Sequence, residues 1–312
     1  MHKATTGPVV ALSCALVLAC ALAGCGASTP TAPALVHDTL AADSQIASGK
    51  LSLSLSLSGS GGGAAGTPLS LSLSGPFESR GAGKPPSFHL DFSILTGGQS
   101  LSAGAVYADE ALYLELAGST YEVPHSASAA LASQFEHAAQ GSGKGPGKSG
   151  SSPLGELGLS PGDWLEDPVV EGTQTIEGMP VVHVHGRLNV GHLLEDAGGL
   201  SGVAGSLGGA ARELGDAGAV ASLLSASGRA ALSRSVKSAS VDLYAGAEDH
   251  LLRALSLSIH VATDPSTRAA LLGLEQATLA LNLHISELNQ PQHIRTPPNP
   301  ISLGALAALA GG

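Results

Sequence analysis

Several short stretches place ligands, nucleophiles or glycines at spacings that chemistry uses. His183 and His185, in VVHVHG, are two residues apart in an extended pattern, so both imidazoles fall on one face of a strand. Such a pair can bind Zn²⁺ or Cu²⁺, but a site needs further ligands. No carboxylate has an obvious spacing to supply them, so the pair reads as polar residues on a wet face opposite Val182 and Val184, and no metal site is expected. GLSPG, Gly158 to Gly162, matches the G-x-S-x-G elbow, whose oxyanion donor is the N–H after the serine. Here that residue is Pro161, which has no N–H, so Ser160 is not a nucleophile of this kind.

GGGAAG, Gly61 to Gly66, has dinucleotide-loop spacing, but TPLSLSLS follows where that mechanism needs a helix, so the glycines read as a hairpin loop. GKGPGKS, Gly143 to Ser149, lacks the phosphate-loop spacing, because Ser142 stands five positions before Gly147. Glu166 and Asp167, adjacent in sequence, read as the end of a helix and not as an acid–base pair. No catalytic residue and no cofactor emerges, and the chain reads as a non-enzyme. A hydrolase would need a nucleophile and base within hydrogen-bond reach.

One motif does carry covalent chemistry. Val9 to Ala23 is an apolar run of the length of a signal-peptide core, shorter than a membrane span. It leads into LAGC, Leu22 to Cys25, which resembles the bacterial lipobox. That resemblance implies cleavage before Cys25 and attachment of diacylglycerol to its thiol, with acyl chains such as palmitate as the anchor; the alternative is plain secretion with an incidental cysteine. All three cysteines, Cys14, Cys20 and Cys25, lie here, so the mature chain has no disulfide. Ser28 to Ala34 reads as a tether. The formal charge of −11, without basic clusters, excludes a nucleic-acid binder, which needs Lys and Arg against phosphate.

The elements that position everything else are strands. In LSLSLSLSGSGGGAAGTPLSLSLSG, Leu51 to Gly75, period two puts leucine on one face and serine on the other. Phe88–Leu95, Leu101–Tyr107, Ala111–Leu116, Val169–Ile176, Val181–Val190, Val236–Tyr244, Leu251–Val261 and Leu274–Leu288 follow as strands, with turns at Asp109-Glu110 and at EGMP, Glu177 to Pro180. Tyr121 to Val123 reads as a strand end. Helices are expected at Val36–Ile46 and Ser126–Ala139, with a turn or short helix in 154–167 closed by Pro168. About ten strands in hairpin order make an α+β protein with a large antiparallel sheet that curls strongly. Hydrophobic residues are 43% of the chain and aromatics only 3%, and the candidate helices are few and rich in Ala and Gly. Periodicity alone favours an ordinary core under the leucines. Small side chains on few helices instead leave a void lined by Leu, Val, Ile and Phe, which is a site for an apolar ligand.

The order of features resembles the LppX/LprAFG family of cell-envelope lipoproteins. The likeness rests on LAGC before a short helix, LSLSLSLSG ending at Gly59, GPF at Gly75 to Phe77, a Tyr-bearing hairpin at Val106 to Leu116, and WLEDP at Trp164 to Pro168. It continues through VEGTQTIEGMPVVHVHGRL, with Gly172, Gly178 and Gly186, to QPQHIRTP at Gln290 to Pro297. The resemblance implies a half-barrel, similar to the LolA/LolB carriers, with helices on its concave side and an apolar cavity between. It divides the chain into a signal peptide (1–24), a lipidated start and tether (25–35), a lipid-binding domain (36–298) and a tail (299–312). It implies a carrier of acylated lipid or glycolipid, anchored through Cys25 at the extracytoplasmic face of the bacterial cell membrane, monomeric, with a membrane exporter as partner and no nucleic acid. The inward positions expected to touch acyl chains are Leu53, Leu55, Phe92, Ile94, Leu114, Val182, Val184, Leu257, Ile259 and Leu283. The rival is a structural or interaction lipoprotein with a solid core.

Overall fold

The computed structural model describes residues 30–42, 46–61, 67–81, 83–141, 161–196, 226–269, 271 and 273–303. The chain divides into two compact units, Met1–Thr31 and Ala32–Gly312. The signal peptide, LAGC with Cys25, most of GGGAAG, GKGPGKS, Ser160 and residues 197–225 lie outside the described residues.

Alternation of apolar and polar residues produces one twelve-stranded sheet. Its strands are β1 (Ser48–Gly61), β2 (Leu69–Glu78), β3 (Ser87–Thr96), β4 (Gln99–Ala108), β5 (Ala111–Leu116), β6 (Ser119–Glu122), β7 (Leu165–Ile176), β8 (Met179–Leu188), β9 (Val236–Gly246), β10 (Leu252–Ala262), β11 (Leu274–Ser286) and β12 (Ile301–Ser302). The order is β12-β6-β5-β4-β3-β2-β1-β11-β10-β9-β8-β7, an open sheet with two edges. Every neighbouring pair is antiparallel except β12 and β6, which run parallel. β1 lies in the middle and pairs with β2 on one side and with β11 on the other, so the first and last long strands meet.

Four hairpins are closed by two-residue turns in which both residues have positive φ: Gly97-Gly98, Asp109-Glu110, Ala117-Gly118 and Glu177-Gly178. That backbone twist matches the right-handed twist of the strands it joins.

The large antiparallel sheet with few helices is the expected architecture, with two strands more than the pattern indicates. The expected strand end at Tyr121 is a full partner of β5, and β12 pairs with it through Ile301 opposite Tyr121. Glu166 and Asp167 do not end a helix: the helix Pro161–Trp164 stops before them and both belong to β7. Pro168 lies inside β7, which is possible because β7 is an edge strand and its register shifts between Glu166 and Val169. Other described helices are α1 (Ala32–Ala42), α2 (His125–Gly141), Ala226–Ser235 and Pro265–Arg268, and residues 190–196 are helical as well.

The main core joins α1 and Trp164 to β8, β9 and β10. Leu35 and Val184 are fully buried, and Val36, Leu243, Leu252, Leu255 and Leu257 belong to the same cluster.

Candidate functional site

The register shows how the leucine face extends. Leu53 stands opposite Leu73 on β2, Leu73 opposite Phe92 on β3, and Phe92 opposite Ala103 on β4. In the other direction Leu53 stands opposite Leu283, then Leu255, Leu243 and Val184. A parallel row runs Leu101, Ile94, Leu71, Leu55, Leu281, Leu257, Val241. Directly opposed residues share a face, so these rows make one apolar surface across the sheet. Leu114 joins it through Ala105 and Leu90, Ile259 through Leu279 and Leu57, and Val182 beside Val184. All ten residues expected inward therefore lie on a single face.

Cover over that face is uneven. Val184, Leu257 and Ile259 are buried, at 0%, 2% and 7% exposure. α1 and Trp164 pack here, and the Trp164 indole N–H donates to Asp196 at 2.9 Å. Leu53, Leu55, Phe92, Ile94, Leu114, Val182 and Leu283 are only partly buried, and Leu101 and Leu116 on the same face are exposed. Leucine is thus well covered towards β8–β10 and half-covered towards β1–β5. Cavities bounded by described residues lie on both faces of the sheet. One, of about 360 Å³, lies among Arg80, Tyr107, Glu110, His125 and Ser128 beside α2. Another, of about 540 Å³, lies on the opposite face among Ser72, Ser74, Ser93, Ser102, Asp91 and Glu115. Of the ten apolar residues only Phe92 borders either one.

The opposite face carries the serines, and the tertiary fold adds charge to it. His183 and His185 do have a carboxylate nearby. Asp242 stands across from His185 on β9, and its Oδ1 is 2.8 Å from His183 Nε2 and 2.9 Å from His185 Nδ1. Tyr244 stacks on the His183 ring with centroids 4.6 Å apart. Burial pushes the Tyr244 hydroxyl above its ordinary pKa, with the Asp242 charge acting in the same direction. Tyr113, 6% exposed, is raised by burial first, then by the charges of Glu122 and Asp109. The displaced pair Glu166 and Asp167 forms ion pairs with Arg187, Asp167 at 2.5 Å.

A second group on the serine face escapes a reading of the sequence. His89, Asp91 and Glu115 each bring one donor atom within 4.8 Å of the others. His89 Nε2 is 3.1 Å from Glu115 Oε2. His89 and Asp91 sit two apart on β3, while Glu115 is on β5, two strands away. The linking position is Gly104 on β4, opposite Asp91 on one side and Glu115 on the other. A Cβ at Gly104 would stand 2.6 Å from Glu115 Oε2, so the carboxylate occupies the space a side chain would take. The only available signal is a glycine between two charged strand positions, and it becomes meaningful only once the register is known.

Among the described residues no helix is long and apolar enough to cross a membrane. No family model matches the chain, and no curated protein does. Among solved structures the chain is similar to LprF from Mycobacterium bovis, with a TM-score of 0.44 and 10% identity over 85% of this chain and 96% of that one. It is also similar to the Mycobacterium tuberculosis lipoprotein LppX, at 0.38 and 10% over 84% and 99% of the two chains. A LolA superfamily protein from Nitrosomonas europaea matches at 0.20 and 5% identity, over 85% and 96%.

Proposed function

We propose that the chain is a membrane-anchored carrier that holds the acyl chains of a lipid or glycolipid against the leucine face of its sheet. The observation that carries this reading is the apolar surface running from β5 to β8, closed over by α1 and Trp164 at one side and only partly covered at the other. Leucine side chains without polar groups recognise methylene chains by removing them from water, at roughly 0.8 kcal/mol for each CH₂ buried. Leu53, Leu55, Phe92, Ile94 and Leu114 form the open wall; Val182, Val184, Leu257, Ile259 and Leu283 continue it towards the sealed core.

In this reading the sheet is a half-barrel whose concave side is the leucine face. Acylated Cys25 ties the chain to the extracytoplasmic face of the bacterial membrane through a tether shorter than the expected 25–35, because α1 starts at Ala32 and Leu35 is fully buried in the core. The protein acts as a monomer, takes lipid from a membrane exporter or the bilayer, and performs no bond chemistry. The buried half of the face, with Val184 at 0% exposure, is what a solid-core interaction lipoprotein would extend across the whole sheet.

Native mass spectrometry of the chain purified from its own membrane separates the two. The carrier brings down a lipid in addition to its N-terminal anchor. A chain whose mass is accounted for by protein and anchor alone, with no uptake of an added fluorescent fatty acid, is a solid-core protein.

A further inference from the structure

We propose that His89, Asp91 and Glu115 form a binding site for a divalent transition-metal ion, of the Zn²⁺ class, on the serine face of the sheet. This site lies on the side of the sheet away from the leucines and does not depend on lipid binding.

The convergence is built into the register. Asp91, Gly104 and Glu115 stand in line across β3, β4 and β5, which places the two carboxylate-bearing residues two strand spacings apart, roughly 9–10 Å. Any side chain at position 104 would stand between them. With glycine there, Glu115 folds back over β4 and reaches His89 at 3.1 Å. One imidazole nitrogen and two carboxylate oxygens then lie within 4.8 Å of one another. Ligands about 2.1 Å from a tetrahedral ion are roughly 3.4 Å apart, so small side-chain rotations close the set.

Charge favours an ion here. Among the described residues neither Asp91 nor Glu115 has a Lys or Arg partner, so two negative groups converge with only a histidine beside them. The donor set selects the metal class. An imidazole nitrogen with carboxylate oxygens suits Zn²⁺ and its first-row neighbours, whereas Mg²⁺ and Ca²⁺ take oxygen ligands. Three protein ligands leave at least one coordination position. The cavity of about 540 Å³, bordered by Ser72, Ser74, Ser93 and Ser102, gives that position room for water or a donor from outside.

The test is calorimetric titration of Zn²⁺, with Mg²⁺ in parallel, into the full chain purified in detergent and stripped with a chelator. One Zn²⁺ should bind per chain, and Mg²⁺ should not displace it. His89→Ala, Asp91→Asn and Glu115→Gln should each weaken binding by at least about tenfold. Gly104→Ala, which keeps all three ligands, should do the same by pushing Glu115 aside. His183→Ala with His185→Ala should leave the affinity unchanged, which separates this site from the imidazoles around Asp242. Circular dichroism confirms that each variant retains its sheet; if Gly104→Ala does not fold, the three ligand variants decide alone. Zn²⁺ binding unchanged in those three, or no binding to the wild type up to about 1 mM, overturns the proposal.

Discussion

Leu55 and Leu257 offer a matched pair for testing the carrier. Both sit in one row of the leucine face, linked through Leu281, and differ in cover: Leu257 is 2% exposed beneath the core, Leu55 only partly buried. Asparagine is close to leucine in size but polar. At Leu257 it loses the buried side chain and strands an amide in the core, at about 4 kcal/mol or more. At Leu55 the amide retains water, so the cost is roughly half the worth of a buried leucine, about 1–1.5 kcal/mol. Adding Leu53→Asn, next along β1 on the same face, brings the double variant to about 2–3 kcal/mol, within a typical stability of about 5–15 kcal/mol. If an acyl chain lies on this wall, the double variant also loses roughly 0.8 kcal/mol for each methylene it no longer covers. Three or four methylenes amount to about 2–3 kcal/mol, or a Kd weakened about 30- to 150-fold. Urea unfolding reads the first quantity, and displacement of a fluorescent fatty acid with native mass spectrometry reads the second. A double variant that unfolds as severely as Leu257→Asn refutes the reasoning, because Leu53 and Leu55 would then be ordinary core. A stable double variant with undiminished lipid occupancy refutes it from the other side.

Replacing Leu35, fully buried on α1, with alanine should cost about 2–5 kcal/mol in urea unfolding; a loss under about 1 kcal/mol would show that α1 does not seal its half of the sheet. Tyr113 and Tyr244 both have pKa values raised above 10.0 in the folded chain, so the stability they contribute is fully present below pH 10 and lost as pH rises through their folded values. The urea midpoint should therefore fall above about pH 10, less steeply in Tyr113→Phe and Tyr244→Phe, and absorbance at the tyrosinate band should lose its late-titrating component; a flat alkaline profile contradicts this. Cys25→Ala should move the chain from the membrane to the soluble fraction and remove the acyl mass, and a variant that stays membrane-bound overturns the reading of LAGC.

Much of the fold is visible before any coordinates because strand alternation is strictly local. Leu51 to Leu57 and Leu69 to Leu73 show their faces in the sequence itself, and the hairpin turns at Asp109-Glu110 and Glu177-Gly178 lie between alternating runs. Where pattern and fold diverge, a neighbour distant in sequence decides. Pro168 looks like a stop and is a strand residue, because β7 is the edge strand of the sheet that the described residues form. His183 and His185 look unaccompanied because Asp242 is some sixty residues away, on β9. β12 is two residues long, too short to have a period, and exists through its pairing with β6.

Alternation by itself determined that leucine and serine occupy opposite faces, since successive side chains on a strand point opposite ways. It also determined which face of its own strand each of the ten inward positions occupies. Which strands lie beside which was decided only by folding, and three properties follow from that order. β1 joins β2 to β11 and so makes two leucine patches into one surface. α1 covers one end of that surface, which turns identical leucines into core at Leu257 and open wall at Leu55. Gly104, unremarkable as a sequence position, falls between Asp91 and Glu115 and lets them meet His89. Two-residue turns fix register locally, as from β3 through β4 to β5, but the pairing of strands far apart in sequence, such as β1 with β11, is settled only when the chain folds.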